Sequence, residues 1–229
     1  TSMGVRGIAL EEGNEAIGMI CIEPDSNQDV LVLSENGFGK RTDLDEYRIT
    51  NRGGKGVKTI NITEKTGKLI SIQAVTDQND LMIINRSGLT IRTAVEQIRV
   101  AGRATQGVRI INLREGDALA SVNLIKDEDI VMLTKNGMAI RFNSNEVAAS
   151  SRATIGIKGI ELKADDEVVS VMVEEFDSIF MTTNTGYGLS YSVEDIPIVG
   201  VKAAGVKGMK LKDDYIVSVN NFSSSAVTF

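Results

Sequence analysis

From residue 30 onward the chain alternates short apolar runs with turn pairs. Residues 30–33 are continuously apolar rather than alternating, the pattern of a strand covered on both faces. Asn36-Gly37 follows as a type I′ hairpin signal, and residues 38–41 return as the partner strand. The same plan recurs with runs at 81–84, 130–133 and 179–182, turn pairs Ser87-Gly88, Asn136-Gly137 and Thr185-Gly186, and return strands at 89–92, 138–141 and 187–191. Two further strands are predicted before each hairpin: 5–10 with 16–23, 57–62 with 69–75, 108–113 with 119–124, and 157–162 with 168–173. A last pair, 206–211 with 216–219, has no hairpin after it. Nothing longer than a single turn, such as 43–47, has a helical period. The repeats, at roughly 50 residues, span about 4–55, 56–106, 107–155, 156–204 and a partial 205–229, a period typical of propeller blades. The expected architecture is all-β: a single repeat domain over residues 1–229, a ring or broken ring of about five four-stranded blades. The partial blade would be completed, if at all, by strands from the N-terminus.

Composition narrows the chemistry. The chain is 42% hydrophobic but only 4% aromatic and has no Trp, so Val, Ile, Leu and Met must fill the core. No apolar stretch approaches the roughly 20 residues of a membrane span and no signal-peptide pattern opens the chain, which points to the cytoplasm. Cys21 is the single cysteine and reads as a small core residue of strand 16–23, in a reducing compartment. Without His, the Ser-His-Asp and Cys-His arrangements and His-containing zinc sites are excluded. No phosphate-binding Gly-x-x-x-x-Gly-Lys-Ser/Thr occurs. The acidic stretches 127–129 and 165–167 lack the spaced ligands of a calcium loop and read as solvated turns. No catalytic, cofactor or metal site is expected.

Charge is segregated rather than scarce. The net charge is −6, yet residues 99–114 hold four Arg and no acid, and 202–212 hold four Lys with two acids only beyond them. Acids gather at Glu11-Glu12, 25–29, 127–129, 165–167 and Glu174-Glu175. A Gly-aliphatic-cation triplet opens each repeat: Gly4-Val5-Arg6, Gly56-Val57-Lys58, Gly107-Val108-Arg109, Gly156-Ile157-Lys158 and Gly205-Val206-Lys207. In the loop before the second triplet, Arg52 and Lys55 flank Gly53-Gly54, whose backbone could admit phosphate oxygens. A closed repeat would carry a basic belt and acidic poles.

Residues 50–56, Thr-Asn-Arg-Gly-Gly-Lys-Gly, resemble the basic box Gln-Arg-Arg-Gly-Gly-Lys-Gly of the C-terminal domain of the DNA gyrase A subunit, departing at Thr50 and Asn51. Residues 36–42 (Asn-Gly-Phe-Gly-Lys-Arg-Thr), 46–48 (Glu-Tyr-Arg) and 102–109 (Gly-Arg-Ala-Thr-Gln-Gly-Val-Arg) also resemble gyrase A repeats. Beyond about Leu124 the repeats are more similar to the corresponding subunit of topoisomerase IV, so the chain reads either as a hybrid or engineered assembly of blades or as ordinary divergence between blades. The resemblance implies a β-pinwheel whose neighbouring blades exchange a strand and whose basic perimeter bends or wraps double-stranded DNA without reading sequence. It further implies a parent type IIA topoisomerase in the bacterial cytoplasm, associated with the nucleoid. There the partners are an ATPase B-type subunit and the remainder of the A subunit. The family's catalytic tyrosine follows an arginine, whereas Tyr47 precedes Arg48, so this stretch should be catalytically inert. The expected DNA contacts are the column Arg52, Arg103, Arg152 and Lys202, with Arg48, Gly53, Gly54, Lys55, Gly56, Lys58, Arg99, Arg109, Lys158 and Lys207 beside it. The alternatives are a propeller that binds a protein or peptide, and an engineered repeat protein with no DNA activity.

Overall fold

The computed structural model of the chain describes residues 4–22, 26–173 and 177–222. The end of predicted strand 16–23, the acids Asp25, Glu174 and Glu175, and the end of the partial repeat lie outside the described residues. The four predicted hairpins form: β1 (Asp29–Ser34) with β2 (Phe38–Asp43), then, after β3 (Leu69–Val75), β4 (Asp80–Asn85) with β5 (Leu89–Ala94). Next come β6 (Val108–Arg109), β7 (Leu119–Ile125), and the hairpin β8 (Asp129–Thr134) with β9 (Met138–Asn143). The rest are β10 (Ile157–Lys158), β11 (Val168–Val173), the hairpin β12 (Ser178–Thr183) with β13 (Gly188–Ser192), β14 (Val206–Lys207) and β15 (Ile216–Phe222). One turn of 3₁₀ helix follows each hairpin.

No sheet is built from one repeat. The sheet orders are β3-β1-β2-β6, β10-β5-β4-β7, β11-β8-β9-β14 and β13-β12-β15. Each hairpin therefore borrows a long strand from the following repeat on one edge. Sheets one to three also borrow a two-residue strand from the repeat after that on the other edge. The partial repeat starts no fifth sheet, because β14 completes the third and β15 extends the fourth. The predicted strands 108–113, 157–162 and 206–211 shorten to two residues, since beyond them the chain leaves one sheet and crosses to the next. Residues 5–10, 16–22 and 57–62 form no strand. By their place in the repeat they belong to sheets whose hairpins would precede residue 4, so they have no ladder to join. Cys21 lies in this segment and is exposed rather than in the core.

The long borrowed strands β3, β7, β11 and β15 pack side by side in that order, and no comparable contact among the described residues brings β15 back to β3. The sheets thus radiate from a common inner edge as an open arc. Gln73, Asn123, Ser170 and Asn220, one from each inner strand, line a cavity of about 770 Å³ at its centre.

The core lies between blades. Leu31 and Leu33 of β1 pack with Leu81 and Ile83 of β4; Met82 and Ile84 on the opposite face of β4 pack with Ile130 and Met132 of β8; Val131 and Leu133 pack with Ile179 and Met181. On the outer face of sheet one, Val30 and Val32 meet Ile60, Ile20 and Ile22. The apolar runs of β4 and β8 are continuous because each strand is sandwiched between two blades, and that of β1 because a blade covers one face and the 16–22 and 57–62 segments the other. Burying one such side chain stabilises by about 1.5–3 kcal/mol.

An ion pair repeats beside each sandwich. Arg41, Arg92 and Arg141 occupy the same register position and reach Asp29 at 3.3 Å, Asp80 at 2.8 Å and Asp129 at 3.0 Å. Each also donates to the next blade: to the Ile98 carbonyl at 2.7 Å, the Asn145 side chain at 2.9 Å and the Val193 carbonyl at 3.4 Å. In sheet four the equivalent positions are Ser178 and Ser190, and the described chain holds no blade beyond it.

The hairpin turns differ from expectation in type. Gly37, Gly88, Gly137 and Gly186 have φ between 78° and 91°, but the residues before them do not take positive φ, so the turns are type I followed by a left-handed glycine rather than type I′. Three of these glycines have a second role. A Cβ on Gly37 would lie 2.7 Å from the Ile111 carbonyl oxygen, one on Gly88 2.7 Å from Ile160 Cγ2, and one on Gly137 2.6 Å from the Met209 carbonyl oxygen, because the crossing segment runs over each tip. Gly186 has nothing within 4 Å. Gly137→Ala should therefore cost about 2–4 kcal/mol in urea unfolding, from strain plus collision, whereas Gly186→Ala should cost about 1 kcal/mol from the backbone conformation alone. Equal losses would mean that the crossing segments do not press on the turns.

Candidate nucleic-acid interface

The chain's route out of each hairpin explains where the cations stand. After the 3₁₀ turn, capped by Asp43, Asn143 or Ser192 in three of four cases, the chain doubles back along the preceding sheet. Parallel bridges mark this return: Val100 to Arg41, Ala149 to Arg92 and Ile198 to Arg141. A loop follows, and then a glycine leads into the outermost strand. Gly107, Gly156 and Gly205 have φ of 74°, 88° and 72°, and a Cβ on them would lie 2.3–2.6 Å from the carbonyl oxygens of Gly39, Thr90 and Ala139. The Gly-aliphatic-cation triplet is thus the entry to an outer edge, where only glycine lets two backbones approach so closely.

That entry sets the cations in register. Arg109 stands opposite Phe38, Lys158 opposite Leu89 and Lys207 opposite Met138, one on the outermost strand of each of three sheets, and all three are exposed. The Arg109 guanidinium lies 4.8 Å from the centre of the Phe38 ring. Lys158 is partly offset by Glu161 at 2.5 Å. Arg48, Arg52, Lys55, Lys58, Arg99, Arg152 and Lys202 are exposed on the preceding loops, as are Gly54 and Gly56, with Gly53 half-buried.

Two expected members of the column stand differently. Counted back from the entry glycines, Arg52, Arg103 and Arg152 are equivalent, but the fourth equivalent is Val201, which packs against the core between sheets two and three. Lys202 is one place later, at the left-handed position also held by Gly53 and Ala153, with φ of 75°, 76° and 63°. Arg103 is half-buried: it donates to the Lys58 carbonyl at 3.2 Å and lies 3.8 Å from a Glu46 carboxylate oxygen, so part of its charge is spent within the protein.

The backbone of these loops is also committed. Gly53 donates its amide to the Gly7 carbonyl at 2.8 Å, Ala153 to Ile110 at 2.6 Å and Lys202 to Gly159 at 3.4 Å. In return, Ala9, Asn112 and Glu161 donate to Gly54, Thr154 and Ala203 at 2.9 Å each. The Gly53 amide, expected from the sequence to face a phosphate, holds two segments together instead.

One buried cation was not visible in the sequence as part of the site. Lys40 is fully buried and its ammonium bridges the carbonyls of Gly102 and Arg103, the latter at 2.5 Å, pinning the loop that carries Arg99 and Arg103. Burial pulls its pKa down to about 8; Glu46 opposes this and Arg103 adds to it. Ile91, Ile140 and Leu189 fill the same place in the other sheets, so the signal is the break in an otherwise apolar position. Between about pH 8 and 10.5 the unfolded chain binds a proton at Lys40 that the folded chain lacks. Unfolding free energy should therefore rise with pH, by at most about 1.4 kcal/mol per pH unit from this group. Urea titrations across that window should show the slope in the parent and lose it in Lys40→Met; a slope unchanged by the substitution would contradict the shift.

Comparison with known proteins places the whole architecture. Residues 1–23, 28–76, 79–126, 128–173 and 177–223 match in succession the family model described as DNA gyrase C-terminal domain, beta-propeller. Over 128 residues, 56% of the chain, it is 45% identical to the DNA gyrase A subunit of Staphylococcus epidermidis, and to the same degree to that of Staphylococcus aureus. The chain's match spans 14% of the length of those relatives. The crystal structure of the C-terminal domain of DNA topoisomerase IV superposes with a TM-score of 0.85 over 96% of this chain and 69% of that one, at 22% identity. A DNA gyrase A C-terminal domain gives a TM-score of 0.73 over 86% of this chain and 66% of that one, also at 22% identity.

Proposed function

The chain belongs to the family of DNA gyrase C-terminal β-propeller domains, and we propose that it binds duplex DNA along the outer edges of its sheets and bends or wraps it. The observation that carries this reading is the repeated register of Arg109, Lys158 and Lys207 on three successive outermost strands, each preceded by a basic loop. Cations repeated at one position of successive blades trace a curved line, and a duplex following it would meet phosphate-binding charge at each blade. The exposed loop residues Arg48, Arg52, Lys55, Lys58, Arg99, Arg152 and Lys202 widen that line. Arg103 contributes less, since it is half-buried beside Glu46.

Binding by such a surface is sequence-tolerant, because Lys and Arg on outer strands and loops reach phosphates and leave base edges unread. The domain itself makes and breaks no bond in this reading. The strand-passing chemistry belongs to the rest of an A subunit working with an ATPase B-type subunit in the bacterial cytoplasm, at the nucleoid. The 14% of the relatives' length that the chain matches leaves ample room for that machinery.

If about six phosphates are contacted, log affinity for a duplex should fall against log salt with a slope near −5, and removing two contacting cations should reduce its magnitude by about 2. Lys158→Ala/Lys207→Ala should do so while unfolding within about 0.5 kcal/mol of the parent, since both side chains are exposed. Gel shifts at several salt concentrations read the slope. A double variant that keeps the parent affinity and slope would remove the outer strands from the interface.

A further inference from the structure

One basic loop is fastened differently from its sisters. The loops 102–106, 151–155 and 200–204 lie over β2, β5 and β9, each entered just after a bridge to Arg41, Arg92 or Arg141 and left through Gly107, Gly156 or Gly205. In the last two, the residue three before the glycine takes positive φ and turns its amide onto a neighbouring crossing segment: Ala153 donates to Ile110 and Lys202 to Gly159. Ala104, the equivalent in the first loop, does not take positive φ, and among the described residues its amide makes no such bond to Thr59. Only the return bond is kept, from the Asn61 amide to the Thr105 carbonyl at 3.0 Å.

Lys40 stands where that bond is missing. Its ammonium takes the carbonyls of Gly102 and Arg103, whereas the apolar Ile91 and Ile140 fill the same place beneath the two sister loops. A charge-assisted hydrogen bond is roughly twice as strong as a neutral one, so this pair can replace the lost peptide bond to the crossing segment. It also turns two carbonyl oxygens inward, which keeps their partial negative charge away from a phosphate at the rim. A cavity of about 180 Å³, lined by Lys40, Arg99, Gly102 and Thr105 among others, lies beside these bonds. Without the ammonium the loop therefore has room to shift.

We propose that Lys40 is a positioning residue of the DNA interface, holding loop 102–106 so that Arg99 and Arg103 join Arg109 on the rim of sheet one. That role presupposes the duplex-binding rim proposed above. Lys40 touches no phosphate itself, because its side chain is fully buried. It acts through the loop. Arg99 enters the loop beside the bridge from Val100 to Arg41, Arg109 leaves it opposite Phe38, and the two ammonium bonds fix the peptides around Arg103 between them. Without those bonds, the holds left on Arg103 are its own side-chain contacts with the Lys58 carbonyl at 3.2 Å and a Glu46 carboxylate oxygen at 3.8 Å. A guanidinium kept there is withheld from DNA.

Gel shifts on a duplex at several salt concentrations test this role. Lys40→Met, apolar like Ile91 and Ile140, should weaken binding by about 3- to 10-fold and reduce the magnitude of the salt slope by about 1, the equivalent of one phosphate contact. Arg99→Ala/Arg103→Ala should lose at least as much, and adding Lys40→Met to that pair should change nothing further, since the loop then has no cation to place. Added instead to Lys158→Ala/Lys207→Ala, on other sheets, Lys40→Met should keep its full effect. Lys40→Ile/Ala104→Gly, which gives the loop the apolar floor and left-handed freedom of its sisters, should recover the parent slope. Circular dichroism and the urea midpoint check that each variant folds; if Lys40→Met does not, Lys40→Gln takes its place in the same cycle. A parent that binds with a slope of about −5 beside a Lys40→Met of equal affinity and slope overturns the positioning role alone. So does a loss that persists in full once Arg99 and Arg103 are gone, the mark of a missing charge rather than a misplaced loop. A parent that binds no duplex overturns both this role and the DNA-binding reading beneath it.

Discussion

Every blade has an inner hairpin strand that is apolar on both faces, and a strand of that kind survives only if something covers each face and something pairs with each edge. β1, β4 and β8 meet both demands by taking neighbours from elsewhere in the chain: a blade on each side of β4 and β8, a blade on one side of β1 and the 16–22 and 57–62 segments on its other, a long strand along the axis and, through the hairpin partner, a short strand at the rim. The rest follows from this. The chain must cross from the rim of one sheet to the axis of the next, so it must pass over a hairpin tip, so the tip must be glycine. It must also leave the previous sheet by a close backbone approach, which accounts for the second glycine landmark. The cations follow that glycine onto the rim.

The sequence made local patterns legible and left partnership hidden. The four hairpins, the turn glycines and the 3₁₀ turn after residue 43 could all be read, because each depends on residues close together in the chain. The exchange of strands could not be read from period alone: a run such as 69–75 has the same pattern whether it pairs with the hairpin after it or the one before. It entered the reading only through family resemblance. Residues 5–10 and 57–62 looked like strands for the same reason, yet a strand is a relation between segments, and theirs has no second party in the described chain.

Charge was the hardest to read. Arg41, Arg92 and Arg141 resemble members of a basic belt, but they are interior clamps, and a constant spacing of twelve from Asp29, Asp80 and Asp129 was the available clue. Asp166, expected in a solvated turn, is in use at a hairpin tip, as are two acids outside the expected clusters, Asp117 and Asp214. Asp117 takes hydrogen bonds from Asn85 and Ser87, Asp166 from Thr134 and Asn136, and Asp214 from Thr185, bracing the hairpin tips. In Asp214 those bonds outweigh desolvation and hold the carboxyl below its usual range. The net charge of −6 thus describes a molecule that places many of its acids in its framework and much of its positive charge at its rim.

The rim strands arrive late, and this bears on how the molecule is made. β2 spans residues 38–43, but the strand that pairs with Phe38 and Gly39 is residues 108–109. At synthesis rates of about 5–20 residues per second, the first sheet waits about 3–13 s after its hairpin has emerged before its outer edge can be sealed, and sheets two and three wait similarly. During that interval the ribosome holds a chain whose newest blade always has a bare edge. The fold is assembled as an arc whose newest blade is always one strand short.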